Sequence, residues 1–161
     1  MKKFFIIIAF FTGLTFNLNA ETKRIVSGNV NAKITIIAYE SLTCSHCADF
    51  HKEVYPKLKK DYIDTGLAKI EFRHFPLDIA ALNASKIAQC KQDQSLKILE
   101  SLYSNQQAWV KGNTIEEVNE NLKKFLQNEG FNIDFEKCIN DKDIEDFVLN
   151  DRKKKKKNFK V

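Results

Sequence analysis

Two stretches of strand-like patterning frame a helical one in the first half of the chain. Residues 32–40, AKITIIAYE, are β-branched and apolar on both faces, which predicts a buried central strand. The next apolar side chains recur at the i, i+4, i+8 spacing of a helix, at Phe50, Val54 and Leu58. Pro56 predicts a kink in this helix or the end of its regular part. The following LAKIEFRHFPL alternates apolar and polar positions, so residues 32–76 predict a strand–helix–strand unit with parallel strands.

The remainder of the chain has helical periodicity. Thr114 and Glu117 form a capping box at the start of one helix, and Gly130 closes it. Its apolar stripe consists of Ile115, Val118, Leu122, Phe125 and Leu126. A shorter apolar face follows near residue 135, and a last helix ends in lysines. The predicted fold class is α/β, with a helical block of about residues 78–141 inserted after the second strand.

The first twenty residues, MKKFFIIIAFFTGLTFNLNA, have the layout of a secretory signal peptide. Two lysines precede an apolar core of about eleven residues, which is shorter than the roughly 20 needed to span a bilayer. Cleavage near Ala20 would leave residues 21–161, enough for one domain with a hydrophobic core. An uncleaved N-terminal anchor is the alternative. The sequence therefore predicts an exported protein, in the periplasm.

The positive charge of the chain is concentrated near its end. The formal net charge is +5, and six of the 26 basic residues are consecutive, from Arg152 to Lys157. Without these and the two lysines of the leader, acidic residues outnumber basic ones. A lysine run is usually a solvated surface, with binding to a nucleic acid or a membrane surface as a minor alternative. We therefore predict no nucleic-acid partner.

The segment TCSHC, residues 43–47, contains the candidate catalytic residues. If a helix begins near Cys44, its free N–H groups and dipole lower the pKa of this thiol and make it the attacking group. Cys47 lies one turn along the same face, within disulfide reach and more buried. His46 adds a donor and partial positive charge near the Cys44 sulfur. These features favour a redox pair that is easily reduced and therefore oxidising.

A zinc site is the main alternative at this position. Cys44, His46, Cys47 and His51 form a cluster, and C-x-x-C is half of many structural zinc sites. A zinc fold normally supplies a second close pair, whereas the other two cysteines, Cys90 and Cys138, lie far apart in sequence. A structurally inert staple is the third interpretation. We therefore predict no metal and no cofactor.

These residues resemble the DsbA-like thiol:disulfide oxidoreductases of the thioredoxin superfamily. The matching segments are ITIIAYESLTCSHC, FRHFPL and SLYSNQQAW, and the resemblance covers roughly residues 25–161. It implies a thioredoxin domain with an inserted helical domain, and oxidation of thiols in exported proteins. Cys44 would be the nucleophile and Cys47 the resolving cysteine, with reoxidation by a membrane DsbB-like partner. Ser45 stands where the family often has proline, which leaves the direction of the chemistry (oxidation, reduction or isomerisation) open.

The other two cysteines, Cys90 and Cys138, each lie on an apolar helix face. A bond between them would close a loop of about fifty residues and contribute about 3–4 kcal/mol on the chain-entropy estimate. Two buried free cysteines that act as small hydrophobes are the alternative. We favour a structural disulfide.

Three further polar residues are candidates near the redox pair. For Glu40, at the end of the first strand, acceptance of a proton from Cys47 is the alternative, and a solvated strand-end charge is the favoured interpretation. His51 follows Cys47 by one helical turn, and His74 ends the second strand. Histidines in such places are mostly surface or packing residues, so we expect neither to touch the redox site.

In the family that this chain resembles, the last helix leads into a loop with a cis-proline and then into two further strands. The two prolines of this chain, Pro56 and Pro76, are not placed for that role. We therefore expect a C-terminally truncated member in which the strand at 33–39 has an unpaired edge. A non-catalytic relic or protein-binding module that keeps the motif is the alternative to a working enzyme. Strand donation by a partner is another way to complete such a domain.

Overall fold

The computed structural model describes residues 22–159, and the predicted signal peptide lies outside them. The described residues form three strands, β1 (Ile25–Ser27), β2 (Ile34–Glu40) and β3 (Ala68–His74). Helix α1 runs from residue 45 to 63 between β2 and β3. The later helices are α2 (Ile79–Cys90), α3 (Ser95–Ser104), α4 (Gln106–Trp109), α5 (Ile115–Asn128), α6 (Phe135–Asn140) and α7 (Lys142–Phe159).

The predicted strand–helix–strand unit is confirmed. Strand β2 pairs with β3 in parallel, with Ile36 opposite Ile70 and Glu40 opposite His74. Strand β1 was not predicted; it pairs antiparallel with the other edge of β3, so the strand order is β1-β3-β2. Only three residues long, β1 offers too little alternation to be detected from sequence.

Helix α1 is regular only in parts. Its α-helical turns, Ser45–Asp49 and Tyr55–Leu58, are each followed by a π-helical turn, Phe50–Val54 and Lys59–Ile63. Pro56 has no N–H to donate, which interrupts the i→i−4 ladder where the irregularity was predicted. Gly66, with φ of +77°, makes the turn into β3, a backbone conformation that glycine adopts without strain.

The core lies between the sheet, α1 and the inserted helices. Its fully buried members include Ile70 of β3, Ile87 of α2, Leu102 of α3, Trp109 of α4 and Leu122 of α5. Trp109 also donates its indole N–H to the carbonyl of Leu102, 2.9 Å away, so its polar atom is satisfied inside the core. The predicted capping box opens α5 as expected, since Thr114 Oγ1 accepts from the N–H of Glu117.

Strand β2 pairs on one side only among the described residues. Its side chains Ile34 and Ile37 are 58% and 45% exposed, although a buried central strand was predicted for this segment. Ile34 and Ile37 point to opposite faces of the strand, so the described residues leave both faces of β2 partly uncovered.

The last helix, α7, packs on α2 and β3 and carries a buried acid. Asp151 is fully buried and forms an ion pair with Arg24, whose guanidinium also lies 4.4 Å from the ring centre of Phe147. Burial raises the pKa of Asp151, which the charge of Arg24 opposes. This pair ties the start of the described chain to its last helix.

Within residues 22–159, no helix has the length and apolar character needed to cross a membrane.

Candidate active site

Cys44 occupies the N-cap of α1, directly after the loop that follows β2. Its carbonyl accepts from the N–H groups of Cys47 and Ala48, at 3.1 and 3.2 Å, and its own N–H donates to Ser41 at 3.0 Å. These bonds fix the turn from loop to helix, and the Cys44 side chain makes no capping hydrogen bond to the helix N–H groups. The predicted position of the cysteine at a helix start is therefore found.

The two cysteines have different surroundings. Both are half-buried and unpaired, but only Cys47 packs against the hydrophobic core. Burial raises the pKa of Cys47 to about 12, opposed by a hydrogen bond from the backbone of Ser41 and reinforced by the neighbouring Cys44 and Glu40. At neutral pH the Cys47 thiol therefore keeps its proton, and Cys44 is the outer member of the pair.

Glu40 lies inside the protein, so its interpretation as a solvated strand-end charge was wrong. The residue is 8% exposed, and its Oε2 lies 2.8 Å from Nε2 of His51. Glu40 is also close enough to Cys47 for its charge to contribute to the raised pKa of that thiol. Burial beneath the inserted helices, which no local pattern signals, decides its environment.

His51 is also part of this site, which the sequence did not lead us to expect. Its side chain is 2% exposed and stacks on Tyr103, with ring centres 4.0 Å apart and planes 14° from parallel. Phe72 and Tyr55 pack against other sides of the imidazole, at 5.2 and 5.3 Å. Burial raises the pKa of Tyr103 well above its ordinary value, and the charges of Glu40 and the two thiols add to this.

Gln106 is a site residue that the sequence analysis missed. It is buried at the start of α4, and its Nε2 donates to the carbonyl of Leu42 at 2.9 Å and to that of Cys44 at 3.1 Å. The inserted helical block thus holds the redox loop by two hydrogen bonds. The residue lies within the SLYSNQQAW segment, but a separation of 62 residues from Cys44 gives no local signal of the contact.

A second set of bonds holds the outer side of the loop. Thr43 donates its hydroxyl to Asp78, 2.7 Å away, and Asp78 caps α2 by accepting from the N–H of Ala81 at 2.7 Å. Ser41 Oγ accepts from the N–H of Leu77 at 3.3 Å. The loop before Cys44 is therefore fixed from the start of α2 as well as from α4.

The cluster proposed as a zinc alternative is dispersed. The His46 side chain is 93% exposed and lies 3.9 Å from Asp49, whereas His51 points into the core toward Glu40. Over residues 22–159, no group of three or more histidine, cysteine or acidic side chains is arranged to hold a metal ion. The structure therefore separates the two histidines of the predicted cluster, while Cys44 and Cys47 stay together.

His74 is a packing residue, as expected. It is 3% exposed and bonds to Gln89, with Nε2 and Oε1 3.2 Å apart. Burial lowers the pKa of His74 to about 4, a shift that the bond to Gln89 opposes. The imidazole is therefore neutral at physiological pH.

Cys90 and Cys138 are joined by a disulfide, with Cα atoms 5.7 Å apart. The bond connects the end of α2 to α6, both in the inserted helical block. The two cysteine pairs differ in kind: Cys90 and Cys138 are bonded, with Cys138 buried and Cys90 partly buried, whereas Cys44 and Cys47 lie at a helix start with free thiols.

Known proteins with the same features confirm the resemblance. The family profile described as Thioredoxin matches residues 20–161. A Rickettsia bellii protein provisionally named a protein-disulfide oxidoreductase is 32% identical over 127 residues, which cover 77% of this chain and 48% of that protein. The crystal structure of Wolbachia pipientis alpha-DsbA1 superposes with a TM-score of 0.76 at 33% identity, covering 86% of this chain and 70% of that one.

A more distant structure supports the fold alone. BdbD from Bacillus subtilis superposes with a TM-score of 0.65 at 22% identity, covering 83% of this chain and 75% of that one. The chain spans about half the length of the curated relatives it matches. The predicted thioredoxin-like fold with inserted helices is confirmed by these matches. The chain therefore belongs to the thioredoxin family, and within that family it is DsbA-like.

Proposed function

We propose that this protein exchanges a disulfide with cysteines of exported proteins through Cys44 and Cys47. The proposal rests on the asymmetry of the two cysteines. Cys44 is the outer thiol at the start of α1, and Cys47 is held against the core with a pKa of about 12. A pair with one accessible and one protected sulfur on a single helical turn suits directional thiol–disulfide exchange.

The proposed reaction has two exchange steps, which use the sulfur atoms of Cys44 and Cys47. In the oxidised protein, a substrate thiolate attacks Cys44 Sγ, the Cys44–Cys47 bond breaks, and Cys47 leaves with the electron pair and takes up a proton. A second substrate thiolate then attacks the substrate sulfur of the mixed disulfide, and Cys44 leaves as a thiolate. The substrate gains a disulfide, and the protein gains two electrons and becomes a dithiol.

Glu40 is our candidate to exchange a proton with Cys47. When Cys47 attacks a mixed disulfide at Cys44, its thiol must first lose a proton, and a pKa of about 12 makes this costly without a base. The carboxylate of Glu40 is buried and acts electrostatically on Cys47. It supplies an acceptor where water has little access.

Export and reoxidation complete the proposal. The protein would act in the periplasm, where disulfides form and persist, and the signal peptide predicted for residues 1–20 supports this part of the proposal. Its partners there are reduced exported proteins as substrates and a membrane DsbB-like protein that returns Cys44 and Cys47 to the disulfide. The relatives named above as disulfide oxidoreductases support this assignment.

Trapping experiments test the proposal. An unfolded peptide with one cysteine, activated as its thionitrobenzoate mixed disulfide, is added to the purified protein and to its Cys44→Ser and Cys47→Ser variants. We expect Cys47→Ser to retain the peptide on Cys44, the wild type to release it, and Cys44→Ser to react slowly. Equal capture by Cys44→Ser and Cys47→Ser would overturn the assignment of roles.

A further inference from the structure

His51 is held in one orientation by contacts from every side. Its Nε2 lies 2.8 Å from Oε2 of Glu40 on β2, and its ring stacks at 4.0 Å on Tyr103 of α3. Phe72 of β3 and Tyr55 of the same helix close the other sides of the ring. His51 lies in the π-helical turn Phe50–Val54, an irregularity of a kind frequent at functional sites.

The surroundings of Nδ1, the second ring nitrogen of His51, indicate which ring nitrogen carries the hydrogen. Nδ1 is buried and has no hydrogen-bond partner among the described residues. A buried N–H without an acceptor is costly, whereas a bare lone pair on an aromatic nitrogen is tolerated more easily. The hydrogen is therefore assigned to Nε2, where it is donated to the carboxylate of Glu40.

The groups that face His51 and Glu40 bear different charges. Glu40 is the acid in this pocket, and the thiols of Cys44 and Cys47 lie close enough to act on Tyr103 together with it. Burial keeps the phenol of Tyr103 protonated, since its pKa is raised well above the ordinary value. His51 donates to Glu40 at 2.8 Å, and the hydroxyl of Tyr103 also forms a hydrogen bond to Glu40.

We propose that His51 is a positioning residue for the proton exchange of Cys47, acting through Glu40. The Nε2–H bond, from a ring that the stack on Tyr103 holds in place, fixes the orientation of the Glu40 carboxylate that accepts the Cys47 proton. This inference deepens the proposed function and rests on it. His51 itself does not touch the reacting sulfurs in this account.

The proposed step moves one proton from Cys47 to Glu40. When Cys47 resolves a mixed disulfide on Cys44, its proton passes to Glu40, and its sulfur forms a bond to Cys44 Sγ. The leaving thiolate departs with the electron pair of the broken bond. Without His51, the carboxylate of Glu40 loses the donor that fixes its orientation and keeps only the hydrogen bond to Tyr103, so it is less well placed to accept the Cys47 proton.

The test follows Cys47 directly. The purified protein is reacted with Ellman's reagent under conditions that place one thionitrobenzoate on Cys44, and release of the second thionitrobenzoate by Cys47 is timed between pH 5 and 9. His51→Phe keeps an aromatic ring but removes the donor, and His51→Gln keeps an Nε2 donor. His74→Phe is the matched control, because it removes a buried histidine that bonds to Gln89 and not to Glu40.

We expect His51→Phe to slow release about tenfold at pH 7, with the rate recovering at higher pH, as for loss of a general base. His51→Gln should restore most of the rate, and His74→Phe should leave the pH profile unchanged. In a Glu40→Gln background, His51→Phe should add no further effect. This comparison between Glu40→Gln and the double variant still tests the role of His51 if His51→Phe alone folds poorly. An unchanged profile in folded His51→Phe, or additive effects with Glu40→Gln, would overturn the inference.

Failure of the proposed function gives a different result. If the wild-type protein holds thionitrobenzoate on Cys44 without release by Cys47, the exchange reaction itself is absent. If the wild type releases it and His51→Phe releases it with the same pH profile, the exchange reaction stands and the role of His51 is refuted.

Discussion

The side-chain nitrogen of Gln106 lies 2.9 Å from the carbonyl oxygen of Leu42 and 3.1 Å from that of Cys44. A residue of the inserted helical block thereby fixes the backbone that carries the outer redox cysteine. Both acceptors belong to the loop between β2 and α1. A displacement of the Gln106 side chain would therefore also displace the Cys44 thiol. The inserted helices thus take part in forming the site, beyond covering the sheet.

We expect Gln106→Met, which keeps the side-chain length but removes both donors, to destabilise the protein by about 1–3 kcal/mol. The reason is that two loop carbonyls lose a buried partner. Urea unfolding followed by circular dichroism measures the change. Gln107→Met, at an exposed neighbouring position, is the control and should have little effect. Equal stability of the two variants would show that the Gln106 bonds contribute nothing net.

The raised pKa of Cys47 predicts unequal reactivity of the two thiols. In a Cys44→Ala variant, Cys47 should be alkylated by iodoacetamide at pH 8 at least about a hundredfold more slowly than a free cysteine, because only its thiolate reacts. Mass spectrometry of timed samples measures the rate, and an unfolded sample in urea is the reference. Alkylation of Cys47 in the folded variant at the rate of the unfolded one would contradict the burial of this sulfur.

The buried His74 should make the free energy of unfolding depend on pH. The folded protein binds a proton at this site only below about pH 4, whereas an unfolded histidine binds one below about pH 6.5. Unfolding therefore takes up a proton between these values, and stability falls as the pH falls from 6.5 to 4, by at most about 3 kcal/mol. The free energy of unfolding in urea, measured at several pH values, should fall less steeply in His74→Gln.

The exposed His46 provides the control for this experiment. His46→Gln removes a histidine whose side chain is 93% exposed, so the pH dependence of unfolding should match the wild type. If His74→Gln also matches the wild type over this range, the imidazole of His74 is not held neutral by burial.

The Cys90–Cys138 disulfide should stabilise the helical block without taking part in exchange. Closing a loop with a sequence separation of 48 residues predicts a loss of about 4 kcal/mol in a Cys90→Ala/Cys138→Ala variant on the chain-entropy estimate. Urea unfolding measures the loss, and release of thionitrobenzoate from Cys44 should keep its wild-type rate while the variant is folded. Loss of that release in a folded variant would instead give the second cysteine pair a redox role.

The sequence predicts what local patterns encode. The parallel pair of β2 and β3, the start of α1 at Cys44 and the cap at Thr114 all follow from spacing over a few residues. The environments of Glu40, His51 and Gln106 do not, because each depends on elements brought together over longer distances. Glu40 is polar and ends a strand, a pattern typical of a solvated charge, and only the packing of α3 above it makes it a buried acid.

His51 was misjudged for a related reason. A regular helix and a π-helical turn place its side chain in different directions, and the irregularity at Phe50–Val54 is set by Pro56 and by packing as well as by the apolar spacing. The exposed apolar side chains of β2, Ile34 and Ile37, likewise depend on which elements cover the sheet.

The central claim is that Cys44 and Cys47 form a working redox pair, and a redox titration tests it most directly. The purified protein is equilibrated in glutathione buffers of graded ratio, and the fraction of Cys44–Cys47 disulfide is measured by alkylation and mass spectrometry, with circular dichroism on the same samples. We predict a folded protein with a single two-electron transition and a readily reduced disulfide, more oxidising than ordinary structural disulfides. A folded protein in which Cys44 and Cys47 form no disulfide at any glutathione ratio would contradict the account.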